Sequence, residues 1–295
     1  MPMPDLSPDD SKMTPMRVSE MLRLLRPKQW IKNSFVLAPL LFTGQFLQLN
    51  VVLHVLVATV LFCIASSASY IVNDLRDIER DRRHPVKRLR PLAAGHLTIK
   101  MALIQLVVLY LVLLWGVYAL PWVSMVIAIY LGLNLAYSFG LKHQPIIDIF
   151  VIAIGFVLRV WAGAMAIDVP VSGWMFVTTL CLALYLAAIK RGQELAQQGA
   201  KSREVLTKYS PALVNRYAEM SATCALIFYS LFVMSNKPAL VVTVPLVLFG
   251  LFRYWFVVDA LGAGESPTDA LFEDRQLIVT VIVWMATCLW ALWPV

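Results

Sequence analysis

The sequence predicts an all-α, polytopic membrane protein of about nine transmembrane helices. Hydrophobic residues make up 60% of the 295, enough to fill about nine spans of about 20 residues each. Charged residues are only 15%, against roughly 25% in a soluble domain. Mean hydropathy is +0.73. These values exclude a soluble globular enzyme and a disordered chain. The chain is also too apolar for a porin-type barrel, in which apolar and polar residues alternate.

Residues 1–16 are polar, acidic and proline-containing. They lack a cationic segment followed by an apolar core, so they read as a disordered tail rather than a signal peptide. A single membrane domain is expected over 17–295. In 17–33, Val18, Met21, Leu22, Leu25 and Trp30 mix with Arg23, Arg26, Lys28 and Lys32. This pattern predicts an interfacial helix broken near Pro27. Spans follow at about 34–49, 51–72, 99–119, 122–141, 146–167, 172–189, 216–235, 238–258 and 276–293. Polar loops interrupt them at 73–98, 190–215 and 259–275, and no internal repeat is evident.

Charge sets the orientation. Loop 73–98 carries seven Lys/Arg, and 190–215 adds Lys190, Arg191, Lys201, Arg203 and Lys208. The opposite side carries Lys237 alone. Basic loops mark the cytoplasmic side, so the N-terminus is expected inside and the C-terminus outside the cell membrane. The net charge of +7 and pI of 9.3 then point to anionic lipid and anionic substrates, with no nucleic-acid partner. Cys63, Cys181, Cys224 and Cys288 lie in apolar stretches without a C-x-x-C pair and read as packing residues. His54, His84, His96 and His143 show no metal spacing.

The informative stretch begins at the cytoplasmic end of the second span: Tyr70-Ile-Val-Asn73-Asp74-Leu-Arg76-Asp77-Ile-Glu79-Arg80-Asp81. If the helix continues, Asp74, Asp77 and Asp81 share one face. Carboxylates so close repel one another unless a cation sits among them. Hard oxygen ligands suit Mg²⁺, which shares itself with substrate phosphates. With Asn73 beside them, these residues predict a diphosphate–metal site. The plainer reading, a solvated loop that sets topology, suits Arg80, Arg82 and Arg83 better than the aspartates. The preceding Ala65-Ser66-Ser67-Ala68-Ser69 run permits close helix packing.

The N-D-x-x-D-x-x-x-D pattern after the second span resembles the first aspartate-rich motif of the UbiA superfamily of intramembrane prenyltransferases. R-P-K-Q-W-I-K-N (26–33), R-P-L-A-A-G (90–95) and Y-S-F-G-L-K (137–142) also fall where that family has signatures. The likeness covers nearly the whole chain beyond residue 16. One branch, the decaprenyl-phosphate phosphoribosyltransferases, is similar also in L-K-H-x-P-x-I-D-I (141–149), G-F-V-L-R (155–159), K-R-x-x-E-L (190–195) and E-S-P-T-D-A-L-x-x-D-R (265–275). The wider family carries a second aspartate-rich motif after the sixth span. Here Lys190, Arg191 and Glu194 stand in its place.

The resemblance implies a central cavity open to the cytoplasm. It further implies Mg²⁺-dependent transfer of 5-phosphoribose from phosphoribosyl diphosphate to a polyprenyl phosphate, giving a lipid-linked phosphoribose for arabinose-containing cell-envelope glycan. Asp74, Asp77 and Asp81 would be catalytic, holding the metal with Asn73. Lys190, Arg191 and Arg159 are the leading phosphate binders, because basic side chains hold phosphate without metal. Lys28, Lys32, Asn33, Arg76, Lys87, Arg88, Tyr137, Lys142 and Glu194 complete the expected substrate contacts.

Plainer roles stand beside several of these. Lys28, Gln29, Lys32 and Asn33 could anchor the interfacial helix to lipid, Lys142 could snorkel, and Tyr137 could sit in an aromatic belt. Arg159, inside a span, lines a cavity or makes an ion pair. Asp148 contacts substrate or serves the helix end electrostatically. Glu265, Asp269, Glu273, Asp274 and Arg275 read as an acidic solvated loop, or as a cap helix opening at Ser266-Pro267. Two rival functions remain: prenyl transfer to an aromatic acceptor, and a lipid or anion transporter. Oligomer formation is compatible with all of them.

Overall fold

In the computed structural model, residues 18–198, 204–260 and 273–293 are described. The expected tail over 1–16 and the turn at Ser266-Pro267, with Glu265 and Asp269, lie outside them. Among the described residues all regular structure is helical.

A helix over 18–24 ends where Arg26 adopts φ 54°. A residue before proline is kept out of the right-handed helical region, so the break falls where Pro27 predicts it. The expected first span over 34–49 is not one α-helix. A 3-10 segment, Pro27–Leu37, runs into a six-residue helix, α1 (Ala38–Thr43), which stops at Gly44 with φ 76°. A 3-10 helix rises about 2.0 Å per residue and an α-helix 1.5 Å. Together the two pieces extend about 31 Å, close to the thickness of a bilayer's hydrocarbon core.

Helix α2 (Leu49–Arg82) is 34 residues long, or about 51 Å. It outruns a bilayer by several turns, so the polar motif is helical and loop 73–98 begins only after it. Then come α3 (Ile99–Ala119), capped by the Thr98 hydroxyl at 3.2 Å from the Met101 N–H, and α4 (Pro121–Phe139), with proline at its first position. Helix α5 (Ile147–Ala166) is the most enclosed. Helix α6 (Gly173–Gln198) continues past the expected end of its span at 189, so the second polar loop starts later than expected. Helix α7 (Pro211–Asn236) is capped by Ser210. A 3-10 segment, Pro238–Thr243, leads into α8 (Val244–Ala260). Helix α9 (Arg275–Ala291) is capped by Asp274. Among the described residues seven helices are long and apolar enough to cross a membrane, and α9 is a shorter apolar helix.

Two apolar cores hold the bundle. One joins the N-terminal segment to α2, α4 and α5 through Val36, Phe62, Val126 and Leu158. The other joins α6, α7 and α8 through Tyr185, Val214, Ala218 and Leu251. The main cavity, about 1000 Å³, runs along the seam between them.

The N-terminal segment is pinned by small residues. Ser67 accepts from the Trp30 indole at 3.0 Å and donates to the Leu25 carbonyl at 2.8 Å. A Cβ built on Gly163 of α5 would stand 2.0 Å from the Val36 carbonyl oxygen. That oxygen is backbone and cannot move aside. Gly163→Ala is therefore expected to lower the melting temperature in detergent, with about 1–3 kcal/mol of lost stability. Gly250→Ala, whose Cβ would meet only a Thr280 methyl at 3.7 Å, is expected to hold or raise it.

Candidate functional site

The last turns of α2 carry the polar motif to the cavity mouth. Asp77 lies on the cavity wall. The Lys142 ammonium donates to both its oxygens, at 3.0 and 3.1 Å. Asp81, one turn on, accepts from Arg90 at 2.5 Å. The same Arg90 nitrogen reaches Asp74 at 3.1 Å, and Arg26 reaches Asp74 at 2.5 Å. The repulsion expected among the three carboxylates is thus relieved by three cations from three other segments.

Asp74 is buried and stands apart from the cavity lining. Asn73, Asp77 and Asp81 line it. Among the described residues no group of three or more His, Cys, Asp or Glu converges as a metal cage. Mg²⁺ needs no such cage, since it takes one or two carboxylates and completes its shell with water and substrate phosphate. Asp77 and Asp81, one turn apart with the Asn73 amide beside them, fit that requirement. Asp74 is held by Arg26 and Arg90.

The expected basic contacts divide. Lys32, Lys87, Lys142, Lys190 and Tyr137 line the cavity. Lys28 and Arg88 are exposed and outside its lining. Arg76 turns to the end of α4. It donates to the Ser138 carbonyl and lies 4.2 Å over the Phe139 ring. Asn33 is fully buried. Its amide donates to Cys63 and Ser66, each at 3.2 Å, and its oxygen accepts from Arg159 Nε at 2.8 Å. It positions that arginine and is not open to phosphate.

Arg191 is 1% exposed. Its Nε lies 2.9 Å from Asp148 Oδ2, and another nitrogen donates to Glu194. Tyr209 donates to the other Asp148 oxygen at 2.7 Å and accepts the Ile146 N–H at 2.6 Å. Burial pushes the Tyr209 phenol well above its ordinary range, so it stays a donor. Ile146 holds φ 70°, a costly conformation for a β-branched residue. This network secures it at the entry to α5. Asp148 and Glu194 are therefore latch residues, and Lys190 and Arg191, near the end of α6, both line the cavity.

Arg159 lines the cavity about 16 Å along α5 from Asp148. It donates to the Gly155 carbonyl at 2.7 Å and the Tyr130 hydroxyl at 3.1 Å. Its guanidinium sits 5.0–5.5 Å from the rings of Tyr130, Phe156 and Phe62. Every hydrogen-bond partner of Arg159 is neutral, so the expected alternative of an ion pair is not met among the described residues. The wall beyond Arg159 is apolar, with Phe42, Phe46, Phe232, Trp284 and Leu289.

Sequence reasoning missed Arg26, Arg90 and Tyr209 as site-building residues. The two arginines had a signal, because each opens an Arg-Pro dipeptide within a quoted motif. Tyr209 had none.

A helical membrane bundle with aspartates at the mouth of an apolar cavity defines an intramembrane transferase fold, and residues 34–268 match the UbiA prenyltransferase family. The chain belongs to that family. It is 36% identical to the decaprenyl-phosphate phosphoribosyltransferase of Mycolicibacterium smegmatis, across 92% of this chain and 91% of that one. It is 35% identical to the protein of the same description from Corynebacterium glutamicum, across 94% and 88%. Among solved structures, a UbiA homolog from Archaeoglobus fulgidus bound to GPP and Mg²⁺ superposes with a TM-score of 0.72 at 18% identity, covering 92% of this chain and 99% of that one.

Removing one partner of a buried ion pair costs about 3–5 kcal/mol. Arg191→Met is expected to lower the melting temperature accordingly, because buried Asp148 would lose the cation beside it. Lys190→Met, at a cavity-wall residue that is only partly buried, is expected to lower it less. Thermal unfolding of the two variants side by side checks the division between latch and cavity cation.

Proposed function

We propose that the protein transfers 5-phosphoribose from phosphoribosyl diphosphate to a polyprenyl phosphate, releasing diphosphate. The observation that carries this is one wall that changes character with depth. Carboxylates and cations stand at the mouth, Arg159 stands deep, and an apolar arm lies beyond. The relatives named as decaprenyl-phosphate phosphoribosyltransferases support the same reading.

Asp77 and Asp81, with Asn73, would hold Mg²⁺ against the diphosphate. When bound, the metal supplies charge neutralisation on the leaving group. Lys142, Lys87 and Lys32 surround the mouth with ammonium donors for phosphate oxygens. Lys190 binds the 5-phosphate, which carries its own charge and needs no second metal. As the C1–O bond breaks, positive charge develops on the ribosyl centre while the electron pair leaves with diphosphate. These preorganised cations stabilise the departing charge. The acceptor phosphate is ionised near neutral pH, so no strong general base is required. Arg159 attracts that phosphate to the boundary between the polar and apolar parts of the cavity. The apolar arm excludes water and holds the prenyl chain.

In this reading the mouth and the N-terminus face the cytoplasmic side of the cell membrane and the C-terminus the outside, which the concentration of Lys and Arg in the loops of one side supports. The product is a lipid-linked phosphoribose, which serves the synthesis of arabinose-containing envelope glycan. Prenyl transfer to an aromatic acceptor is less well supported. Glu194, the carboxylate of the K-R-G-Q-E-L stretch, pairs with Arg191.

The test is turnover of purified protein with Mg²⁺, labelled phosphoribosyl diphosphate and a long-chain polyprenyl phosphate, read as label in the lipid fraction. Asp77→Ala is expected to lower the rate about 100-fold or more, and EDTA to abolish it. Failure of this transfer, with activity on a prenyl diphosphate and an aromatic acceptor instead, would refute the proposal.

A further inference from the structure

Helices α2 and α4 meet along the cavity in parallel register. Lys142 bonds Asp77 and Ser138 bonds Asn73, both at an offset of 65 residues. The same offset carried one turn deeper pairs Ser69 with Asn134, and both line the cavity. One turn deeper again, Tyr130 holds Arg159. Each step of four residues descends about 6 Å. The wall is therefore a ladder with a charged rung at the mouth, two neutral polar rungs, and a cation at about 18 Å depth.

The middle rungs do not suit phosphate or prenyl groups. Ser69 commits its only O–H to the Ala65 carbonyl at 3.1 Å, so toward a ligand it is an acceptor. Asn134 commits one N–H to the Tyr130 carbonyl at 2.8 Å. Its amide also donates to the Tyr130 hydroxyl, so toward a ligand it offers its carbonyl oxygen, a second acceptor beside Ser69. An ionised phosphate, which only accepts, finds no donor on Ser69. A hydrocarbon chain would leave both groups without partners, at a cost. A hydroxyl donates, and so matches both residues.

We propose that Ser69 and Asn134 form the subsite that recognises the ribose hydroxyls of the donor. This rests on the phosphoribosyl-transfer reading above. It adds that the enzyme reads the sugar itself, with Asn134 as the residue that selects a hydroxylated donor. The order of the rungs agrees with the substrate: diphosphate at Asp77 and Asn73, sugar at Ser69 and Asn134, acceptor phosphate toward Arg159.

The experiment compares kcat/KM for phosphoribosyl diphosphate with that for its 2-deoxy and 3-deoxy analogues, in the wild type and in Asn134→Leu. Asn134→Ala serves if melting shows that the leucine variant does not fold. The wild type is expected to prefer the ribose donor over at least one deoxy analogue by about tenfold or more, the effect of leaving a polar site unpaired. The variant is expected to lose about tenfold on the ribose donor alone. Its rate on that deoxy analogue and its affinity for inorganic diphosphate should remain at the wild-type level. Equal use of all three donors by the wild type would overturn the subsite and leave the transfer reading intact. So would an equal loss on all three donors in the variant. No phosphoribosyl transfer by the wild type would overturn both.

Discussion

The structure depends on balancing carboxylate charge at the end of an apolar helix. Helix α2 leaves the bundle carrying Asp74, Asp77 and Asp81 within two turns. Two of them are buried to 2% and 4% exposure. A buried carboxylate without a partner would be protonated or would unfold its surroundings. The chain therefore brings Arg26 from the N-terminal segment, Arg90 from the first loop and Lys142 from the end of α4. These contacts decide where three segments distant in sequence come to rest. The second polar loop obeys the same constraint with the signs exchanged, since buried Arg191 draws in Asp148 and Glu194.

Pairing of this kind separates position from chemistry. Asp74 in the first cluster, and Asp148 with Arg191 in the second, are the most fully buried charges, and they hold the walls in place. Asp77 and Lys190 stand on the cavity wall, where a ligand would meet them. Arg159 belongs to neither class. Its neutral partners and three surrounding rings keep it oriented without cancelling its charge, so a positive potential persists deep in an otherwise apolar channel. Effective dielectric is low there, and such a charge acts strongly on any anion that enters.

Much of this was legible in the sequence. Runs of about 20 apolar residues located the apolar part of each helix from α2 to α8, though α2 and α6 run on for about ten residues past it, and the spacing of Asp74, Asp77 and Asp81 placed them on the end of one helix. The first span was not legible, because the apolar run over 34–49 says nothing of a 3-10 backbone that begins at Pro27. That geometry comes from Asn33 bonding Arg159, Cys63 and Ser66, and from the Val36 carbonyl packed on Gly163. Both are contacts across more than a hundred residues or between separate helices. The roles of Asp74 and Asp77 could not be told apart for a similar reason. Helical periodicity gives a shared face about 100° wide. Only the position of Arg26 and Arg90 shows that one edge of this face meets protein and the other meets the cavity.

The same limit explains why basic residues were harder to assign than acidic ones. A long Arg or Lys side chain can reach a carboxylate, a carbonyl or a ring from one backbone position. Arg76 took the end of α4 and Lys142 took Asp77, though both stood in conspicuous motifs. What distinguishes the second loop from a metal-binding loop is therefore not its count of cations. Glu194 is the carboxylate available there, and it is bound to Arg191, which is bound to Asp148, which is bound to Tyr209 and through it to the backbone of Ile146. Freeing Glu194 for a metal would unfasten the entry to α5, the helix that carries Arg159. The latch and the deep cation thus sit on one helix, about 16 Å apart.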